Sequence, residues 1–202
     1  MIRIVTGKHR GRKLAVPEDG PEGNSKGDGV RPTTDRAREG LFNTLAHGDF
    51  SQGGQSVFSE ARVLDAFAGC GALGLEALSR GAAHASFLEI DRQACAVIAE
   101  NLDHLSETAR GKVLRGDALR PPQARAGACD LIFLDPPYRK DMAAAALLAL
   151  VAASWVAPDA VVAVEQERGE TLAAPEGFEQ IDERRYGRAQ FTLLRYRVSS
   201  QS

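Results

Sequence analysis

Two short stretches of the 202-residue sequence hold side chains from which a reaction could be built. The first is Asp65-Ala66-Phe67-Ala68-Gly69-Cys70-Gly71-Ala72-Leu73-Gly74. Gly69, Gly71 and Gly74 have GxGxxG spacing, which permits a tight turn and close approach of a ligand to the backbone. Alone, this spacing fits a dinucleotide equally well. Asp65, just ahead of the first glycine, discriminates. A carboxylate there repels a pyrophosphate but attracts S-adenosyl-L-methionine, which has an ammonium, a sulfonium and no phosphate. Glu89 can accept hydrogen bonds from ribose hydroxyls, and Asp117 is placed to meet an adenine amine. The expected cofactor-binding set is Asp65, Phe67, Gly69, Gly71, Glu89, Ile90, Asp117 and Ala118.

The second stretch, Leu131-Ile132-Phe133-Leu134-Asp135-Pro136-Pro137-Tyr138, is the more specific. Its prolines fix φ and carry no N–H, so the loop is stiff and its carbonyls can accept from a ligand. Asp135 and the Pro136 carbonyl can together accept from an NH₂ group, and Tyr138 can stack on a base. An exocyclic amine is a poor nucleophile because its lone pair is delocalised into the ring. Fixed acceptors on its hydrogens favour a pyramidal nitrogen whose lone pair faces the methyl group, and alignment with the sulfonium supplies proximity and orientation. Asp135, Pro136, Pro137 and Tyr138 form the expected catalytic group.

Alternating strands and helices must carry these stretches. The pattern predicts strands at 62–67, 85–90, 112–115, 131–134 and 160–165, with helices at 72–80, 92–104 and 141–153. Such alternation implies parallel strands joined by right-handed crossovers. The tail predicts a hairpin, 178–185 with 190–197, so at least one terminal strand runs antiparallel. Ahead of this domain, assigned to residues 61–202, residues 1–60 form an extension. It has a short β-hairpin (Ile2–Thr6 with Lys13–Val16), a Gly- and Pro-rich loop, and a helix from about Thr34 to Leu45 whose apolar face is Ala37, Leu41 and Leu45. The fold class expected is α/β: a Rossmann-like, seven-stranded class I methyltransferase sheet with a small N-terminal hairpin and helix extension.

Hydrophobic residues make up 44% and charged residues 26% of the chain, a soluble profile. No apolar run could span a bilayer, and the first residues lack a secretory signal's apolar stretch, so a cytoplasmic protein is expected. The three cysteines and four histidines form no ligand pattern, so no metal is expected. Surface or capping roles are expected for most of the histidines. Net charge is -2, which excludes a uniformly basic nucleic-acid binder. The charge is nevertheless uneven: Arg3, Lys8, Arg10, Arg12 and Lys13 lie in the first 16 residues without one acid. A basic arm on an acidic body suits phosphate binding.

The paired motifs resemble a known family. Arg3-Ile4-Val5-Thr6-Gly7-Lys8-His9-Arg10-Gly11-Arg12-Lys13-Leu14, then Val30-Arg31-Pro32-Thr33-Thr34-Asp35-Arg36-Ala37-Arg38-Glu39-Gly40-Leu41-Phe42, and finally the Asp-Pro-Pro-Tyr loop are similar to the bacterial RsmD family. Its members methylate N2 of guanine-966 in 16S ribosomal RNA. The resemblance implies S-adenosyl-L-methionine as cofactor and 16S rRNA within the small ribosomal subunit or its assembly intermediate as partner, bound by a monomer. It also places Arg31-Pro32-Thr33 near the active site. Lys8, Arg10, Arg12, Lys13, Arg31 and Thr33 are the expected RNA contacts. The alternatives are a DNA adenine-N6 methyltransferase, for which this chain has little room for a target-recognition domain, and a protein-glutamine methyltransferase, which more often has Asn in place of Asp135. A non-catalytic RNA-binding assembly factor and a NAD-dependent enzyme complete the set.

Overall fold

Strand β3 (Arg62–Ala66) is apolar on both faces and so needs cover on both. It receives that cover near the middle of a seven-stranded sheet. The computed structural model describes residues 2–17, 35–50, 55–137 and 142–198. After β3 come helix α2 (Ala72–Ser79), β4 (His84–Glu89), α3 (Arg92–His104), β5 (Gly111–Arg115), β6 (Cys129–Leu134), α4 (Met142–Ala152), β7 (Val156–Glu167), β8 (Phe178–Tyr186) and β9 (Ala189–Tyr196). Strands β3 to β7 pair in parallel, and β9 pairs antiparallel with both β7 and β8. The tail is therefore the expected hairpin, but its second strand lies inside the sheet, between β7 and β8.

The chain lays down β3, β4 and β5 in one direction and then returns to place β6 on the other side of β3. That reversal is a topological switch point, and in open parallel sheets ligands bind outside the carboxyl ends of strands at such a point. Asp65 and Asp135 flank it.

One face of the sheet packs Val63, Phe87, Leu131, Phe133 and Ala163 against α1 (Asp35–His47), α2 and α3. The other packs Leu64, Leu88, Ile132, Leu134 and Val164 against α4 and Trp155. Gly74 lets α2 approach β4: a Cβ there would lie 2.4 Å from the Phe87 ring. An added methyl at so full a contact costs about 1–3 kcal/mol.

The N-terminal hairpin is shorter than its alternation suggests, with β1 (Ile2–Arg3) pairing β2 (Lys13–Leu14). Little of its fixation comes from its own ladder. The buried Glu76 of α2 accepts from the Val5 and Thr6 N–H groups at 2.7 and 3.0 Å. Asn101 of α3 accepts from the Ala15 N–H at 2.8 Å and donates to the Ala15 carbonyl. Ile2, Ile4, Leu14, Leu41, Phe42 and Leu45 all join the core of the sheet's first face, and Phe42 packs on Phe133 at 5.3 Å. Helix α1 buries Arg38 as well as its apolar stripe. Among the described residues no helix is long and apolar enough to cross a membrane.

Candidate active site

The turn after β3 fixes the first half of the site. Gly71 caps α2 with φ 80°, the left-handed region that favours glycine. Its N–H donates to the Ala68 carbonyl at 2.7 Å, closing the turn. Asp65 is 1% exposed, and its Oδ2 accepts from the Gly74 N–H at 2.8 Å. Burial pushes its carboxyl up to about 8, the Gly74 hydrogen bond pulls it down, and nearby Glu89 raises it further. A buried acid of this kind favours the arrival of a positive charge.

Glu89, at the end of β4, holds the turn in place. Its Oε2 accepts from the Gly69 N–H and its Oε1 from the Asp91 N–H, both at 2.8 Å. Each carboxylate oxygen can accept a second bond, so Glu89 keeps acceptor capacity for a ligand. Ile90 beside it is 63% exposed, an apolar surface next to the acid. Gly69 is exposed, with no heavy atom within 4 Å of where a Cβ would stand. Asp117 is half-buried, and its Oδ1 accepts from the Leu119 N–H at 2.8 Å, so one oxygen already serves the local turn. Phe67 is half-buried with φ 62°, and Ala118 is buried.

Across the switch point, β6 delivers Asp135. The residue is half-buried, and its carboxyl is raised well above the usual range, first by burial and then by the charges of Glu165 and Asp65. Pro136 is buried and Pro137 half-buried. Tyr138, Arg31 and Thr33 lie outside the described residues. Asp65, Glu89 and Asp135 thus converge, and Glu165 of β7, absent from the expected set, stands with them.

The basic hairpin sits on α2 and α3. Arg10, Arg12 and Lys13 are exposed, and Arg12 donates to the His104 carbonyl at 3.1 Å. Lys8 has a 65% exposed side chain, with Nζ 3.2 Å from Glu107. His9 departs from the expected surface role: it is buried and 2.6 Å from Glu107 Oε1. Burial of Glu107 would raise its carboxyl, but Arg110, His9 and Lys8 together hold it down at about 2. Asn101 also donates to the Cys70 carbonyl at 3.1 Å, so a single side chain ties the hairpin to the glycine turn. A cavity lined by Phe50, Asp130, Asp159 and Arg195 lies at the amino ends of β3, β6 and β7, away from these acids.

One reversed strand in a parallel sheet, with a glycine turn and an acid at its switch point, defines the Rossmann-like class I methyltransferase fold. Within that class the chain belongs to the family described as Conserved hypothetical protein 95, whose model matches residues 2–195. It is 40% identical over 166 residues to "Ribosomal RNA small subunit methyltransferase D" of Escherichia coli, covering 82% of this chain and 75% of that one. The protein of the same name from Haemophilus influenzae is 34% identical, with 95% of this chain and 92% of that one covered. Among solved structures, the Escherichia coli protein described as "Putative methyltransferase yhhF" superposes with a TM-score of 0.77 at 35% identity, covering 97% and 98% of the two chains. The resemblance to the RsmD family is borne out.

Proposed function

We propose that this chain transfers a methyl group from S-adenosyl-L-methionine to the exocyclic N2 amine of a guanine in 16S ribosomal RNA, at the position corresponding to guanine-966. The observation that carries the reading is the placement of Asp65 and Asp135 at the carboxyl ends of neighbouring parallel strands, on the two sides of the switch point. The name shared by the relatives supports small-subunit rRNA as the substrate class.

The residues fit the cofactor. Asp65 offers negative charge to a cation, Glu89 has acceptor capacity for ribose hydroxyls, and exposed Ile90 offers an apolar surface for a purine. The second carboxylate oxygen of Asp117 is available to an amine. When bound, the cofactor supplies an electrophilic methyl group on sulfur. Asp135 and the Pro136 carbonyl accept the two hydrogens of the target amine and orient its lone pair. Tyr138, next after the proline pair, stacks on the base. The stiffness of the loop matters because orientation contributes to rate only if it is established before the reaction. Lys8, Arg10, Arg12, Lys13, Arg31 and Thr33 grip the RNA, which is presented within the small subunit or an assembly intermediate to a monomeric enzyme.

The test is transfer from labelled cofactor to small subunits lacking the modification, followed by nucleoside analysis. Label in N2-methylguanosine is the expected result. Label in methyladenosine, or none in RNA, overturns the reading. Asp135→Ala should lower single-turnover methyl transfer by orders of magnitude while cofactor affinity changes far less.

A further inference from the structure

Glu165 is a buried acid that the reading above leaves without work. It is 1% exposed and lies near the end of β7. A carboxyl is seldom buried this completely, and its place in the sheet decides what it can act on. The register shows where it points. Asp65 pairs with Phe133, and Phe133 with Ala163. The next pair, Leu134 and Val164, belongs to the opposite face of the sheet. One step further, the pleat returns Asp135 and Glu165 to the face that holds Asp65. Asp135 has already left the strand, but its N–H still reaches toward the Ala66 carbonyl at 3.5 Å, so it continues the ladder. Neighbouring strands lie about 4.8 Å apart, which makes the two acids immediate neighbours.

We propose that Glu165 is a positioning residue for proton removal: its carboxylate makes Asp135 the base that takes the proton shed by the target nitrogen, and the two acids then hold that proton between them. The proposal rests on the role assigned to Asp135 above. In the step concerned, the nitrogen–carbon bond forms as the sulfur–carbon bond breaks, with its electron pair passing to sulfur. The nitrogen becomes positive and must lose a proton. Its N–H bond breaks, an O–H bond forms on Asp135, and the acid pair goes from two negative charges to one. The positive charge that arrived on sulfur thus ends as a proton beside Glu165, and no charge accumulates in the cleft.

Among the described residues, Asp65 from β3 also acts on Asp135, Glu89 of β4 acts on Asp65, and Cys70 in the turn lies under the influence of Asp65 and of the buried Arg38 of α1. Asp65 acts in the same direction as Glu165 on Asp135, as a second and weaker influence.

The test compares Glu165→Gln with Glu165→Asp by single-turnover methyl transfer across pH, with cofactor and ribosomal substrate saturating. Glu165→Gln should move the acid limb of the profile to lower pH, by about tenfold or more in proton concentration, with cofactor affinity within about twofold of wild type. Glu165→Asp keeps the charge and should keep the limb near its wild-type position. A Glu165→Gln profile that superposes on wild type, or equal shifts in both variants, overturns the proposal. If Glu165→Gln does not fold, carboxyl-carbon NMR of the wild-type protein decides: an Asp135 that titrates in the ordinary carboxylate range overturns it, and one raised above that range that falls back in Glu165→Ala or another foldable neutral variant supports it. Asp135→Asn separates the two levels. Normal turnover in that variant defeats the role of Asp135 itself, whereas an inactive Asp135→Asn beside an unshifted Glu165→Gln defeats only the part given to Glu165.

Discussion

Cofactor binding should depend steeply on pH, with Asp65 as the cause. With a carboxyl pKa of about 8, Asp65 carries its proton in about nine of ten free molecules at pH 7 and nearly all at pH 6. A cationic ligand prefers the ionised form, so binding below pH 8 must expel a proton. Where the bound form stays ionised, affinity should rise almost tenfold per pH unit and reach on the order of fiftyfold from pH 6 to pH 8, about 2.3 kcal/mol. The ligand's own amino group loses its charge near pH 8, so affinity should level off or fall above that point. Calorimetry in buffers of different ionisation enthalpy measures both quantities, and close to one proton should be released per cofactor at pH 6.5. The rising limb should vanish in Asp65→Asn, which binds more weakly throughout, and persist in Asp135→Asn. Affinity that is flat from pH 6 to 8, or a limb that survives in Asp65→Asn, would refute the reasoning. The same group opposes folding: a raised carboxyl pKa means the native state favours the proton. Its contribution to stability is therefore present near pH 4 and lost as pH rises toward 8, so Asp65→Asn should raise the Tm of the cofactor-free protein at neutral pH.

Glu89→Ala removes acceptors for the Gly69 and Asp91 N–H groups as well as for the ligand. It should weaken cofactor binding by about 1–3 kcal/mol in calorimetry, and unchanged affinity in a folded variant would take Glu89 out of the site. Replacing Lys8, Arg10, Arg12 and Lys13 together with alanine should flatten the salt dependence of binding to ribosomal substrate by roughly 0.7–0.9 in slope per lost phosphate contact, while free cofactor binds normally. Equal slopes would defeat the arm. Glu107→Gln should lower stability at pH 7 by about 1–3 kcal/mol, measured by urea unfolding, because it weakens bonds from Arg110, His9 and Lys8. Because the folded-state carboxyl is held down at about 2, that contribution is fully present above about pH 4.5 and lost as pH falls toward 2, so wild type and variant should converge on acidification.

Much of the sheet was legible because parallel strands buried on both faces are short apolar runs, and helices between them repeat every three or four residues. Arg92–His104 is found at the residues the periodicity indicates. The insertion of β9 between β7 and β8 was not legible, since the pairing of a terminal hairpin with the sheet leaves no local mark. The acids at strand ends were visible where a glycine turn or a proline pair followed them. Glu165 lacks both markers, because Val161-Val162-Ala163-Val164-Glu165 reads like any strand running out into solvent. The available signal was serial: three earlier strands also carry an acid within one residue of their last position, at Asp65, Glu89 and Asp135. Arg38 was concealed by helical geometry, since an arginine beside an apolar stripe ordinarily points to water. The partnership of His9 with Glu107 spans 98 residues, and nothing local in either segment announces it.

The position of β9 has a consequence for how the molecule is made. It is the last strand of the sheet to be synthesised, yet its ladders join β7 to β8 and its Phe191, Leu193 and Leu194 are buried. Until it emerges from the ribosome, β7 presents an open edge and both apolar faces lack part of their filling. Such an edge is a template for pairing with other chains. Shortening the chain by this one strand would remove an interior member rather than trim a border, leaving β8 with no strand to pair with. Fusions at the carboxyl end should therefore keep every residue through Tyr196, and nascent chains halted before that point should be captured by chaperones rather than accumulate as a smaller folded domain.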